Sequence, residues 1–119
     1  MKIAVASSGR EMSAPLDSRF GRAEAFVVYD TDSETFEAVN NQMNLNAAQG
    51  AGIQAAQNAA ATGAGAIIAA NIGPKAAKVL QTAGVKMYLC QAGTVREALE
   101  QYKSGKLTEA DGANTEGHW

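Results

Sequence analysis

The sequence predicts an α/β fold: a mixed five-stranded sheet with three helices. Two patterns predict it. The second half alternates amphipathic helical segments with short apolar strands, each bounded by glycine or proline, and helical crossovers require parallel strand neighbours. The first half carries two apolar runs joined by a tight polar turn, which requires antiparallel neighbours. Composition agrees, since 46% of the 119 residues are hydrophobic, 18% are charged and only two are proline. That is enough apolar surface for one domain and lies outside the charge-rich regime in which chains stay disordered.

Residues 2–7 read as a buried strand of small and β-branched residues running into a polar loop, 8–18, that contains Gly9 and Pro15. Residues 25–31 and 35–40 form the hairpin, with Asp32 and Ser33 at its turn. Residues 40–49, rich in Asn and Gln, are expected to be a mobile surface loop. A helix is expected over 50–62, with Ile53, Ala56 and Ala60 on its apolar face and Gly63 closing it. Residues 66–70 form a buried strand. Pro74 then opens a second helix that ends before Gly84, and 85–90 is the next strand. Thr94 and Glu97 have the spacing of a capping box, so a third helix starts there, turns Val95, Ala98, Leu99 and Tyr102 inward and ends at Gly105. Residues 106–110 add at most a short extended piece. The domain is thus expected over 1–110, with 111–119 as a flexible tail.

Several classes of function fall away. The apolar stretches are far shorter than the ~20 residues a membrane-spanning helix needs. The run Ile3 to Ala6 is too short for a signal peptide, with Ser7, Ser8, Gly9 and Arg10 following at once. A cytoplasmic protein without a membrane partner is expected. A net charge of −2 gives no general attraction to nucleic acid, and one Cys with one His supplies neither an internal disulfide nor a four-ligand zinc site. No phosphate-binding loop ending in Gly-Lys-Ser/Thr is present, which removes ATP hydrolysis. Gly50, Gly52 and Ala55 imitate a dinucleotide fingerprint, but they follow a polar loop, with no acid ~20 residues later, and read as a glycine-rich helix start. The first strand lacks the carboxylates of a metal-dependent nuclease, and Ser7 and Ser8 have no imidazole base except His118 in the tail. No catalytic residues are therefore expected.

Charge placement is more telling. Between Ala38 and Arg96 there is no Asp or Glu, while Lys75, Lys78 and Lys86 fall in that stretch, and Arg10, Arg19 and Arg22 cluster upstream. A pocket built from these parts prefers an anion. In such sheets ligands sit beyond the carboxyl ends of the parallel strands, so the loops 7–22, 71–74 and 91–94 should meet around one crevice. Within it, Arg19-Phe20-Gly21-Arg22 either grips a large anion with two guanidinium forks while Phe20 covers apolar surface, or is a packed Phe between solvated arginines. Asn71-Ile72-Gly73-Pro74 places amides at a helix start. Cys90, at the end of a buried strand, is either a core thiol or a soft-metal ligand.

Over residues 1–108 the chain resembles the dinitrogenase iron–molybdenum cofactor biosynthesis family, the NifX-like and NifB C-terminal type of domain. The resemblance is carried by Lys2-Ile3-Ala4-Val5-Ala6-Ser7-Ser8-Gly9, by Arg19-Phe20-Gly21-Arg22-Ala23 with Phe26 and Tyr29-Asp30, by Gly50-Ala51-Gly52-Ile53, by Asn71-Ile72-Gly73, and by Thr94-Val95 with Glu97-Ala98. It implies a ribonuclease-H-like fold without nuclease activity and non-covalent carriage of metal–sulfur clusters or their precursors. It maps the crevice onto Ser7, Ser8, Arg10, Arg19, Phe20, Arg22, Asn71, Ile72 and Gly73. The orange-protein branch, similar in size, implies a molybdenum–copper sulfide cluster; the nitrogenase branch implies an iron–molybdenum–sulfur precursor held by His or Cys. This chain has only Cys90 and His118 of those types, so a thiomolybdate-type anion held by charge-assisted hydrogen bonds fits better. The leading expectation is a non-catalytic carrier that hands an anionic molybdenum-containing cluster to a recipient or assembly protein. The alternative is a regulatory interaction module working with a partner ATPase.

Overall fold

The first strand, β1 (Lys2–Ser7), is apolar on both faces, and that makes it central. Ile3 and Val5 point to one side, Ala4 and Ala6 to the other, and all four are fully buried, the pattern of a strand covered on both faces. In the computed structural model, which describes residues 1–18, 20–41, 51–91 and 93–110, β1 pairs antiparallel with β2 (Ala25–Asp30). On its other side it pairs in parallel with β4 (Ala66–Ala69). The edge strand β3 (Thr35–Asn40) closes the expected hairpin onto β2, and β5 (Lys86–Leu89) lies parallel to β4.

The sheet has six strands, not five. Glu109 and Ala110 form β6, antiparallel to β5 through Tyr88↔Glu109 and Met87↔Ala110. The order is β3-β2-β1-β4-β5-β6. The physical reason is edge protection: β5 would otherwise present unpaired backbone groups, and the chain returning from the last helix covers them.

Three helices cover the sheet. The helices α1 (Ala51–Ala61) and α2 (Pro74–Thr82) lie over the face formed by Ala4, Ala6, Phe26, Val28, Ile67 and Ala69. Their contact residues are small: Ala55, Ala56, Ala59, Ala76 and Ala77 are at most 3% exposed, so the helices approach the sheet and each other closely. The opposite face, with Ile3, Val5, Val27, Tyr29 and Ile68, is covered by α3 (Val95–Lys103). There Val95, Ala98 and Leu99 are buried, as their spacing requires. The foot of α3 is fixed by Lys103, whose Nζ donates to the Tyr29 hydroxyl at 2.8 Å and lies 4.3 Å from the ring centroid. Gly50, most of the 40–49 loop and the 111–119 segment lie outside the described residues. Among the described residues no helix is long and apolar enough to cross a membrane.

Candidate functional site

β1, β4 and β5 are mutually parallel, so their carboxyl ends share one edge of the sheet, and the loops that follow are tied together there. The 8–18 loop folds back on β1 through an isolated bridge between Ser7 and Leu16 and a bond from the Ser8 amide to Pro15 O at 3.0 Å. It also joins the start of α3, with Leu16 N donating to Gly93 O, Val95 N to Ala14 O and Arg96 N to Met12 O at 2.9–3.1 Å. The third loop closes the ring. Asn71 Nδ2 donates to Ser18 O at 2.7 Å, Phe20 N donates to Asn71 O at 3.3 Å, and Gln91 Nε2 reaches Ala70 O at 3.0 Å. The three loops expected to meet therefore do so, through the backbone more than through side chains.

Within this rim the nominated side chains separate into groups. Ser7 is buried, and its hydroxyl donates to Gly9 O at 2.8 Å and accepts from Gly9 N at 3.0 Å, so it shapes the turn. Gly9 is needed there because a Cβ would stand 3.0 Å from that of Ala14. Ser8 is exposed on the rim. Arg22 is exposed at the end of a short 3-10 turn, Phe20–Arg22. Asn71 is half-buried between its two bonds, and Gly73 is the N-cap of α2, with extended φ −81° and ψ 169° before Pro74. Ser8 and Arg22 are thus exposed on the rim, while Gly73 is buried at the helix start.

Other nominated residues lie elsewhere. Phe20 is fully buried against Phe26, with ring centroids 5.5 Å apart, so the Arg-Phe-Gly-Arg segment has a packed aromatic. Ile72 is fully buried beneath α2. Both belong to the core and do not meet solvent. Arg10 reaches outward to β3, donating to Ala38 O at 3.2 Å and to the Asn40 side-chain oxygen. There it borders a separate cleft of about 550 Å³ with Glu37, Asn40, Asn58 and Thr62. Cys90 is 2% exposed in the α3-side core, its thiol directed to Gln101 Oε1 at 3.6 Å. Arg19, His118 and Trp119 lie outside the described residues.

Asn41 and Asn58 were hidden in the sequence. Asn41 is 6% exposed; its Nδ2 donates to Ala23 O at 2.9 Å, and its Oδ1 accepts from Asn58 Nδ2 at 2.7 Å, which pins the chain after the 3-10 turn to α1. Its place in an Asn-rich run gave no signal that one Asn would be buried.

The charge around the rim is uneven. Glu11, Asp17 and Glu24 accompany Arg22 on the N-terminal side, whereas the side built from β4 to the start of α3 carries no acid before Glu97. The first turn of α2 contains no acidic residue and includes the exposed Lys75, so a cation adds to the positive end of the helix dipole. Among the described residues no three His, Cys, Asp or Glu side chains come together to hold a metal ion. Positive charge without acid is therefore confined to the α2 side of the rim, while the N-terminal side carries both signs.

Fold and rim thus define a small α/β domain whose loops meet in a polar rim at the carboxyl end of its parallel strands. The chain belongs to the dinitrogenase iron-molybdenum cofactor family, whose description matches residues 1–105. An uncharacterized protein of Methanocaldococcus jannaschii is 32% identical over 111 residues, covering 90% of this chain and 89% of that one. The apo form of the orange protein from Desulfovibrio gigas superposes with a TM-score of 0.89 at 39% identity, covering 96% of each chain. A putative NifB protein from Thermotoga, solved by NMR, gives 0.83 at 35% identity over 98% of each chain.

Proposed function

We propose that this protein is a non-catalytic carrier of an anionic, molybdenum-containing metal–sulfur cluster, which it holds non-covalently and passes to a recipient or assembly protein. The observation that carries this reading is the start of α2, where Gly73 is the N-cap without a side-chain cap and the acid-free first turn carries the exposed Lys75. Family membership and the likeness to the orange protein support it. Sulfide ligands carry the cargo's negative charge outward, where guanidinium groups and amides donate to them without displacing a metal ligand. Arg22 and Arg19 supply charge, Ser8 and Asn71 supply polar contacts, and the first turn of α2 supplies backbone amides beyond Gly73. Ser7, Phe20 and Ile72 shape the floor beneath them, and Arg10 braces the flank. This donor set favours a thiomolybdate-type or molybdenum–copper sulfide anion over an iron–molybdenum precursor that needs His or Cys ligands. Three antiparallel strands followed by two parallel ones also support reading the fold as a ribonuclease-H-like motif, with 1–110 as one domain and 111–119 as its tail.

Purification without oxygen from the native host, followed by a visible spectrum and metal analysis, tests the proposal. Molybdenum with copper and a strong charge-transfer band is the expected result. Molybdenum with iron would redirect the cargo to nitrogenase precursors, and a colourless protein that also fails to take up thiomolybdate and copper would contradict carriage.

A further inference from the structure

The outer surfaces of α1 and α2 carry a feature that the crevice does not use. Each helix leads into a strand of the same parallel pair and lies on the same sheet face, so the two run side by side. Between their C-terminal halves is a groove of about 650 Å³, walled by Gln57, Ala60 and Ala61 on one side and by Lys78, Val79, Thr82 and Ala83 on the other. Ala60 and Val79 are half-buried and rest on the core, so the groove floor continues the interior. Small side chains on both walls leave room for a third helix to lay a row of apolar side chains into the groove at close range.

The charge at this groove has one sign. The eleven residues of α1 include no charged side chain, and the charges of α2 are Lys75 and Lys78. Neither helix has the mixture of Glu and Lys that commonly solvates an outward face. We propose that the groove docks an amphipathic helix of a partner protein, one whose apolar stripe is flanked by Asp or Glu. The apolar stripe covers Ala60, Ala61, Val79 and Ala83, and the acidic flank meets Lys78 and Lys75 with no acid on either wall to repel it. The contact is small, as suits a transient encounter. The proposal stands on the groove and its charge, independently of what the crevice holds.

The test is an NMR titration of the isotopically labelled full chain with two capped helical peptides that share one Leu/Ala stripe, one flanked by Glu and the other by Lys. The Glu peptide should shift the amides of Ala60, Ala61, Val79 and Ala83 and bind at least about tenfold tighter than the Lys peptide. The double variant Lys78→Glu with Thr82→Glu, both exposed positions, should reverse that preference. Lys106→Glu, an exposed position beyond α3, should leave it unchanged. Equal affinities, no binding by either peptide, or shifts confined to another surface would overturn the proposal. So would binding of the Glu peptide only after removal of 111–119, which would make this segment the occupant, or groove shifts that follow protein concentration alone, which would make it a second copy. None of these outcomes bears on metal uptake, so the carrier reading stands or falls separately.

Discussion

Asn71 is the residue on which two rim loops depend, because its amide side chain donates to Ser18 O and its own carbonyl accepts from Phe20 N. Asn71→Ala removes the first bond and should cost about 1 kcal/mol in chemical denaturation. It should also speed release of bound thiomolybdate, which a purely structural contact remote from the cargo would not do. At the opposite end of the sheet, the backbone amide of Asp32 donates to Asp30 at 2.9 Å and holds that carboxyl below its ordinary value. A carboxyl whose pKa is lowered by folding adds stability above the ordinary carboxylate range and loses it as pH falls through the folded value. Asp30→Asn should therefore give melting temperatures that fall less steeply on acidification than those of the parent. At this scale the sequence indicated which loops would meet but not side-chain directions. Phe20 lies between two arginines and Ile72 beside a polar Asn, yet both point into the core; Cys90 alternates away from Leu89 and joins the α3 side. One residue of rotation about a loop decides such cases, and only tertiary packing fixes it.

The third helix shows how an element can be read in full beforehand. Thr94 Oγ1 accepts from the Glu97 amide at 3.2 Å, and the Glu97 carboxylate accepts from the Thr94 amide at 3.1 Å, completing the capping box. Thr94→Ala should cost about 1 kcal/mol, read as a lower thermal midpoint. Because the 8–18 loop bonds to the same helix start through Arg96 N and Val95 N, the change should also raise amide exchange in residues 12–16. The stops were legible for a related reason: Gly63, Gly84 and Gly105 end the three helices with φ between 73° and 82°, a left-handed conformation that glycine adopts without strain. The sixth strand was less legible, since two residues carry no periodicity and β6 is defined only by its pairing to β5.

At the scale of the molecule, the meeting of the three loops followed from connection rules. Parallel strands joined by helices bring their carboxyl ends to one edge, so loops distant in sequence become neighbours before any side chain is considered. What sequence could not supply was the fate of Arg10, which spans to the edge strand β3 instead of the opening, or the six-stranded width of the sheet. The same architecture separates two surfaces: the polar loop rim beyond the strands, and the acid-free groove on the backs of α1 and α2. The rim proposed for cargo shares no residues with the lining of the groove proposed for a partner.

The proposed retention of an anionic metal–sulfur cargo rests on charge and hydrogen bonds at the rim. Its most direct test is anaerobic incubation with tetrathiomolybdate and copper, followed by gel filtration with absorbance and metal content measured across the protein peak. The parent chain should retain a coloured molybdenum–copper species, and Arg19→Ala with Arg22→Ala should lose most of it while eluting at the same volume. Equal retention by both proteins, or colour that elutes apart from the parent chain, would rule out retention by these arginines at the rim.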